Sequence, residues 1–222
     1  QLFGIEDPWY IEKSELSIEE RRIDIYINFK RGGRFTCDIC KNECGAYDTE
    51  EKVWRHLNLF QYRTYIHARI PRIKCPKHGV KQVKVPWARE QSGFTMFFES
   101  LIMVFAQHMP IKSISEMLGE TDKRIWRVVE YYVQNALGRE EYSAVKKIGI
   151  DETAIRRGHE YISLFVDLEK KKVIHVCEGK GSETVTTFTA KIKKRKGVPE
   201  EITDVSCDMS PAFIKGCLLY TS

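Results

Sequence analysis

The chain has 222 residues, 42% apolar and 11% aromatic, with 36 Lys+Arg against 31 Asp+Glu for a formal net charge of +5. That is enough for one or two ordinary domains with a real core, and it excludes disordered, collagen-like and low-complexity classes. The longest run without Asp, Glu, Lys or Arg is 12 residues, Ser100 to Ile111, and it contains His108 and Pro110; it is too short to cross a bilayer. With no signal-peptide pattern at the N-terminus, the expected compartment is the cytoplasm.

Residues 1–36 alternate apolar and polar positions, as at Ile23, Ile25 and Ile27, before Gly32-Gly33. This predicts a strand and then a turn. Residues 1–52 carry a net −4, whereas residues 53–89 hold nine cations (Arg55, Arg63, Arg69, Arg72, Lys74, Lys77, Lys81, Lys84, Arg89) and no acid; the remainder is neutral. A field this concentrated suits a polyphosphate, because each cation placed at a phosphate releases condensed counterions. It is also what a solvated basic face looks like.

Four of the seven cysteines fall between residues 37 and 75. Cys37 and Cys40 form a C-x2-C knuckle; Cys75 and His78 form a C-x2-H knuckle after 34 intervening residues. Tetrahedral zinc takes four such ligands, two from each tight turn, so a closed structural Cys3His site is expected. Cys44 could stand in for Cys40 or be a spare thiol, and His56 and His67 lie on no knuckle. Between the knuckles, short β-like runs such as Tyr65–Ile70 are expected.

Phe94 to His108 reads as a helix with Phe94, Phe97, Phe98, Leu101, Ile102 and Phe105 on its apolar face, ended by Pro110. Ile111–Leu118 reads as a short helix closed by Gly119, and Thr121 or Asp122 would cap another over Lys123–Ala136. Its expected inward face is Ile125, Trp126, Val129 and Val133. Helix, glycine turn, helix is the helix-turn-helix pattern, completed to three helices by the preceding one. Thr121, Lys123, Arg124 and Arg127 would then face the major groove.

From Val145 the pattern becomes strand, strand, strand, helix, strand. The first strand runs into Asp151-Glu152-Thr153; a turn with Arg156, Arg157 and Gly158 leads to Tyr161–Leu168, and Glu169–Lys172 turns into Val173–Cys177. A helix from Ser182 to about Lys196 precedes a strand over Ile202–Cys207, which ends at Asp208, and Ser210-Pro211 opens another helix. This order matches a ribonuclease-H-like layout, in which the first and fourth strands are neighbours and Asp151 would meet Asp208. Two such carboxylates can hold a pair of Mg²⁺ or Mn²⁺ ions roughly 4 Å apart. Side-chain alternation puts Glu152 on the opposite face from Asp151, and Asp167 is the other nearby acid.

Taken together, the C-x2-C knuckle, YDTEEKVWRHLNLF, ARIPRIKCPKHGVKQVKVPWAR, the glycine-turned helix pair, IGIDET-x2-RRGHEYISLFVDL and DVSCDMSPAFIKG resemble the ISL-three family of bacterial insertion-sequence transposases. The resemblance runs from about Pro8 to Gly216. It implies an α+β multidomain chain: a β-rich, zinc-binding, DNA-binding domain (1–92), a trihelical helix-turn-helix (93–142) and the N-terminal part of a ribonuclease-H-like catalytic domain (143–222). By position Asp151 and Asp208 are its first two catalytic, metal-binding acids, and Cys37, Cys40, Cys75 and His78 its zinc ligands. Arg69, Arg72, Lys74, Lys81, Lys84, Thr121, Lys123, Arg124 and Arg127 are the expected DNA contacts. The implied cofactors are structural Zn and catalytic Mg or Mn. The implied partner is double-stranded DNA, as terminal inverted repeats and target, handled by a nucleoid-associated homodimer with no membrane contact.

The family's third acid, a glutamate, lies well downstream of Asp208, and residues 217–222 depart from the family pattern. A truncated chain, inactive alone in transposition, is therefore expected. A function of another class, a non-catalytic zinc-stabilised DNA-binding regulator, is open to the same residues.

Overall fold

The computed structural model describes residues 5–155, 160–208 and 211–218, so the expected turn at Arg156, Arg157 and Gly158, and Ser210, lie outside the described residues. The chain divides into two compact units, Gln1–Val133 and Gln134–Ser222. Among the described residues no helix is long and apolar enough to cross a membrane.

The first unit opens with six strands: β1 Trp9–Ser17, β2 Arg22–Phe29, β3 Arg34–Thr36, β4 Glu43–Leu59, β5 Tyr62–Cys75 and β6 Gly79–Gln82. They form one sheet in the order β1-β2-β5-β4-β3, with β6 also paired to β5. The expected Ile23–Ile27 strand is β2, which buries Ile25 and Ile27 and runs parallel to β5. The short runs expected between the knuckles are instead one long hairpin of 17 and 14 residues. The first half of β4 is almost wholly exposed, so it has no reason to alternate, and only Trp54, Arg55 and His56 are buried on it in succession.

Along β5 the buried side changes. Ile66, Ala68 and Ile70 are buried, then Pro71, Ile73 and Cys75. Successive strand residues face opposite ways, so the core crosses from one face of β5 to the other at Ile70–Pro71. One consequence touches function: Arg69 leaves one face of this strand and Arg72 and Lys74 the other.

Three helices complete this unit: α1 Met96–Ala106, α2 Ile111–Leu118 and α3 Asp122–Arg139. The helix expected from Phe94 begins two residues later, because Phe94 bridges to Arg55 on β4 and Thr95 caps α1, its hydroxyl accepting the Phe98 N–H at 3.3 Å. Gly119 closes α2 as expected, in the left-handed region at φ 65°, where a side chain is costly. Phe94, Phe98, Ile102, Ile114, Ile125 and Val128 form the helical core. The expected inward face of α3 needs one correction: Trp126 is 56% exposed and Val133 42% exposed, while Val128 is buried. Ile125, Val128, Val129 and Tyr132 make the i, i+3, i+4, i+7 stripe, and Trp126 lies beside it.

Buried charge ties these helices to the sheet. The Arg55 guanidinium is buried, donates to the Thr64 carbonyl at 3.1 Å and to the His56 carbonyl, and lies 3.9 Å from Glu120 in the α2–α3 turn. Glu99 on α1 is fully buried and accepts from Ser92 Oγ at 2.6 Å, Arg89 Nε at 3.0 Å and the Tyr132 hydroxyl at 2.9 Å. Burial, with Glu99 beside it, pushes the Tyr132 hydroxyl up to about 12. A buried charge persists only when so paired.

His56 is buried next to Arg55, its Nδ1 2.8 Å from Thr95 Oγ1, and burial lowers its pKa to about 4. A base depressed in the folded state contributes stability above its unfolded value of 6.5 and loses it as pH falls toward about 4. The expected cost is up to about 3 kcal/mol across that window. Urea melts of wild type and His56→Gln between pH 7 and 4 check it; equal acid sensitivity would show His56 is not responsible.

The second unit holds β7 Lys147–Ala154, β8 Tyr161–Asp167, β9 Lys172–Glu178, α4 Ser182–Lys194, a 3-10 turn at Pro199–Glu201, β10 Asp204–Cys207 and α5 Pro211–Leu218. Its sheet order is β10-β7-β8-β9, antiparallel except for the parallel pairing of β10 with β7. Ile148, Ile150, Phe165 and Ile174 of the sheet pack with Val185, Phe188 and Ile192 of α4 and Phe213 of α5. The Phe165 and Phe188 rings stack at 4.2 Å between centroids. The expected element order holds, with β10 shorter than predicted because the 3-10 turn takes up the chain before it.

Candidate metal centres and nucleic-acid interface

The two knuckles meet. Cys37-Asp38-Ile39-Cys40 turns between β3 and β4, with Lys41 in the left-handed region at φ 61°, and the Cys37 N–H donates to the Asn42 carbonyl at 2.8 Å. Cys75-Pro76-Lys77-His78 turns between β5 and β6, where Cys75 pairs with Gly79. The ligand atoms of Cys37, Cys40, Cys75 and His78 all lie within 4.8 Å of one another. Cys37 Sγ and Cys75 Sγ are each 3.6 Å from His78 Nδ1, and Cys40 Sγ is 3.5 Å from Cys75 Sγ. Zinc bonds of about 2.3 Å to sulfur and about 2.0 Å to nitrogen, opened to a tetrahedron, separate S from N by about 3.6 Å. The residues therefore fit zinc.

The protonation chemistry agrees at two of the three thiols, Cys37 and Cys75, whereas the Asn42 N–H does not offset burial and the adjacent thiols, which raise Cys40. N–H groups of Cys40 and Ile39 lower the Cys37 thiol. Burial opposes ionisation at Cys75, but the Lys77 and His78 N–H groups and the neighbouring thiols bring it down to about 7. Thiolate is the form that binds metal. Cys44 lies outside the cluster, buried, with its thiol toward the Asn42 carbonyl at 3.8 Å. Cys40, and not Cys44, thus stands with the other three. His56 and His67 are also elsewhere, against Thr95 and Asp24.

The strand register leads up to both aspartates. Parallel pairing sets Ser206 beside Gly149 and Cys207 beside Ile150. Continued by one residue, the same pairing would set Asp208 beside Asp151 on the face away from Ile150; both residues are exposed. Asp151 Oδ1 accepts the Glu152 N–H at 2.8 Å. Glu152 points the other way, aligned with Ser163 of β8. Asp167 is buried and structural: its Oδ1 accepts the N–H groups of Glu169 and Lys170, both at 3.0 Å, closing the β8–β9 turn.

The basic block separates into three groups. Arg55 and Arg89 are internal, and Arg72 and Lys84 are paired at the surface, Arg72 with Asp48 and Lys84 with Asp38 at 3.5 Å and Glu90 at 3.1 Å. Arg63, Arg69, Lys74, Lys77 and Lys81 are exposed. Lys52, Lys81, Lys84 and Arg89, together with the acids Asp38 and Glu90, line a cleft of about 880 Å³ that also takes in Trp54, Ile70 and Tyr131 of α3. On α3 and the turn before it, Thr121, Lys123 and Arg127 are exposed. Arg124 is committed inward, paired with Glu120 and 4.1 Å over the Phe94 ring. Lys52 belongs to the acidic segment before the block and stood out in no sequence pattern; its place in the cleft follows from pairing with Ala68 across the hairpin.

A β module with a Cys3His cluster, a glycine-turned helix pair and a second sheet with exposed acids at its strand ends follow one another along the chain, and the comparisons match each segment in turn. Residues 34–78 match the zinc-finger of the transposases of IS204, IS1001, IS1096 and IS1165. Residues 83–133 match the helix-turn-helix domain of transposase family ISL3, and residues 148–219 the transposase domain of that family. The chain belongs to the ISL3 family of insertion-sequence transposases. It is 26% identical over 181 residues to the transposase for insertion sequence element IS1557 of Mycobacterium tuberculosis, covering 78% of this chain and 39% of that protein. It is 20% identical over 179 residues to the transposase for IS1001 of Bordetella parapertussis, covering 80% of this chain and 44% of that one. The chain thus spans about two-fifths of the length of these relatives.

Proposed function

We propose that this chain is the DNA-recognising and metal-binding portion of a transposase that binds the terminal inverted repeats of its insertion sequence and cleaves and joins DNA there. The observation that carries the reading is the β10–β7 register, which pairs Cys207 with Ile150, the residues immediately before Asp208 and Asp151, both exposed. In this reading the second unit is ribonuclease-H-like, α1–α3 are a trihelical helix-turn-helix, and the domains run 1–92, 93–142 and 143–222. Asp151 and Asp208 hold Mg²⁺ or Mn²⁺ with a third acid of the full-length enzyme. Bound there, the metal ions neutralise charge on the attacking and leaving oxygens of the phosphodiester. The two aspartates fix where that charge is met, Asp151 from β7 and Asp208 from the residue that follows β10. Zinc at Cys37, Cys40, Cys75 and His78 is architectural, holding the β5–β6 turn, with Lys74, Lys77 and Lys81 around it, in a fixed relation to α3. The full-length enzyme acts as a homodimer in the cytoplasm, on the nucleoid.

Arg69, Lys74, Lys81, Lys123 and Arg127 are the exposed cations placed at phosphates, with Thr121 beside them; Arg72, Lys84 and Arg124 contribute after exchanging their acidic partners. Each phosphate contact adds about 0.9 to the slope of log K against log salt. Lys81→Ala and Arg127→Ala, each measured on a duplex of the element's terminal repeat, are expected to lower the slope by about that amount and the pair by twice it. Unchanged slopes in both would refute DNA binding by this surface.

A further inference from the structure

We infer that Trp126 is a specificity-determining residue, its indole lying against base edges in the major groove of the terminal repeat; this rests on the DNA-binding reading above. Three of the four tryptophans, Trp9, Trp54 and Trp87, are 8%, 4% and 2% exposed, but Trp126 is 56% exposed. It is not there to build the helical core, which α3 supplies through Ile125 and Val128. Its neighbours on the outer face are Lys123 at i−3, Arg127 at i+1 and Glu130 at i+4, all exposed, while the exposed Asp122 at i−4 is held by the Ser115 hydroxyl. Two cations flanking a bare indole, with one acid a turn further on, match a partner that is anionic at its edges and apolar between them.

Duplex DNA has that profile in the major groove, where phosphates border a floor carrying the thymine methyl group. The surface around Trp126 extends the same way. Arg127 and Tyr131, four residues apart, share a side of α3, and Tyr131 walls the cleft that Lys81 and Lys84 line, with the Arg89 guanidinium 4.0 Å over its ring. Phosphates can follow those cations while Trp126 meets the bases. An apolar contact of this kind discriminates sequence but releases no counterion.

Because Trp126 alone among the tryptophans is open to solvent, acrylamide quenching of intrinsic fluorescence reads it directly. In the zinc-loaded protein the quenchable fraction is expected to disappear when a terminal-repeat duplex is added, and to be absent from the free protein in Trp126→Phe. Trp126→Ala is expected to weaken binding to the repeat about tenfold, leave binding to an unrelated duplex unchanged and keep the salt slope. Trp126→Phe should keep most of the preference, and a repeat with deoxyuridine for thymidine should lose affinity for wild type but not for Trp126→Ala. If the repeat binds with Trp126 still quenchable, or Trp126→Ala keeps full preference, the inference is overturned and DNA binding stands. If neither duplex binds wild type, the DNA-binding reading falls and this one with it.

Discussion

Stripping zinc with a chelator is expected to unfold the first unit, with recovery on adding one equivalent of Zn²⁺ and none on adding Mg²⁺. Structural zinc contributes on the order of 10 kcal/mol, comparable with the whole stability of a domain this size. The cluster also sits inside the sheet's core: Cys37 and Cys75 are buried with Phe35, Ile73 and Trp9. Losing the metal would leave three thiols and an imidazole crowded at hydrogen-bond range, with β3 tied to the β5–β6 turn only through its three-residue pairing with β4. Far-ultraviolet melts and metal analysis check it. Cys40→Ser should behave like the chelated protein, whereas Cys44→Ser should keep one zinc and nearly all the stability. A stable, well-folded Cys40→Ser with full zinc would exchange the roles of these two cysteines.

The parts of this fold that were legible in the sequence are those fixed locally. Two knuckles, each closed within four residues, declare a metal site without reference to anything distant. Gly119 after Ile111–Leu118 declares a helix end, because glycine takes the left-handed turn there without the cost a side chain adds. The alternation in Tyr161–Asp167 declares a strand covered on one side. The less legible parts depend on partners far along the chain. Arg55 reads as one of nine basic residues in a strip, yet Glu120 makes it internal; Arg89 reads the same way until Glu99 receives it.

The corrected faces have the same origin. On α3, Trp126 and Val128 are equally apolar neighbours of Ile125, and only the packing of α1 and α2 against α3 selects Val128. On β5, the core's crossing at Ile70–Pro71 separates Arg69 from Arg72 and Lys74, which a count of positive charge joins. A net charge of +9 over residues 53–89 therefore overstates the cations available to DNA. What remains is a smaller set around the zinc turn and the cleft, supplemented by Lys123 and Arg127 from a segment that is neutral on average.

Replacing Asp151 or Asp208 by Asn in the full-length transposase is expected to reduce strand cleavage at the element's ends by about a thousandfold or more. Removing a carboxylate that holds the metal forfeits several kcal/mol of charge stabilisation in the reaction, and each 1.36 kcal/mol is about tenfold in rate. Asn keeps the size of the side chain, so zinc content, melting temperature and affinity for the repeat should stay at wild-type values. The neighbouring acids supply the controls. Glu152 occupies the opposite face of β7, so Glu152→Gln should leave cleavage far less affected than Asp151→Asn does. Asp167→Asn should instead lower stability by about 1–3 kcal/mol, because it weakens two buried bonds to the N–H groups of Glu169 and Lys170. Equal cleavage losses in Asp151→Asn and Glu152→Gln would mean that the strand's alternation, and with it the Asp151–Asp208 pairing, does not define the metal site.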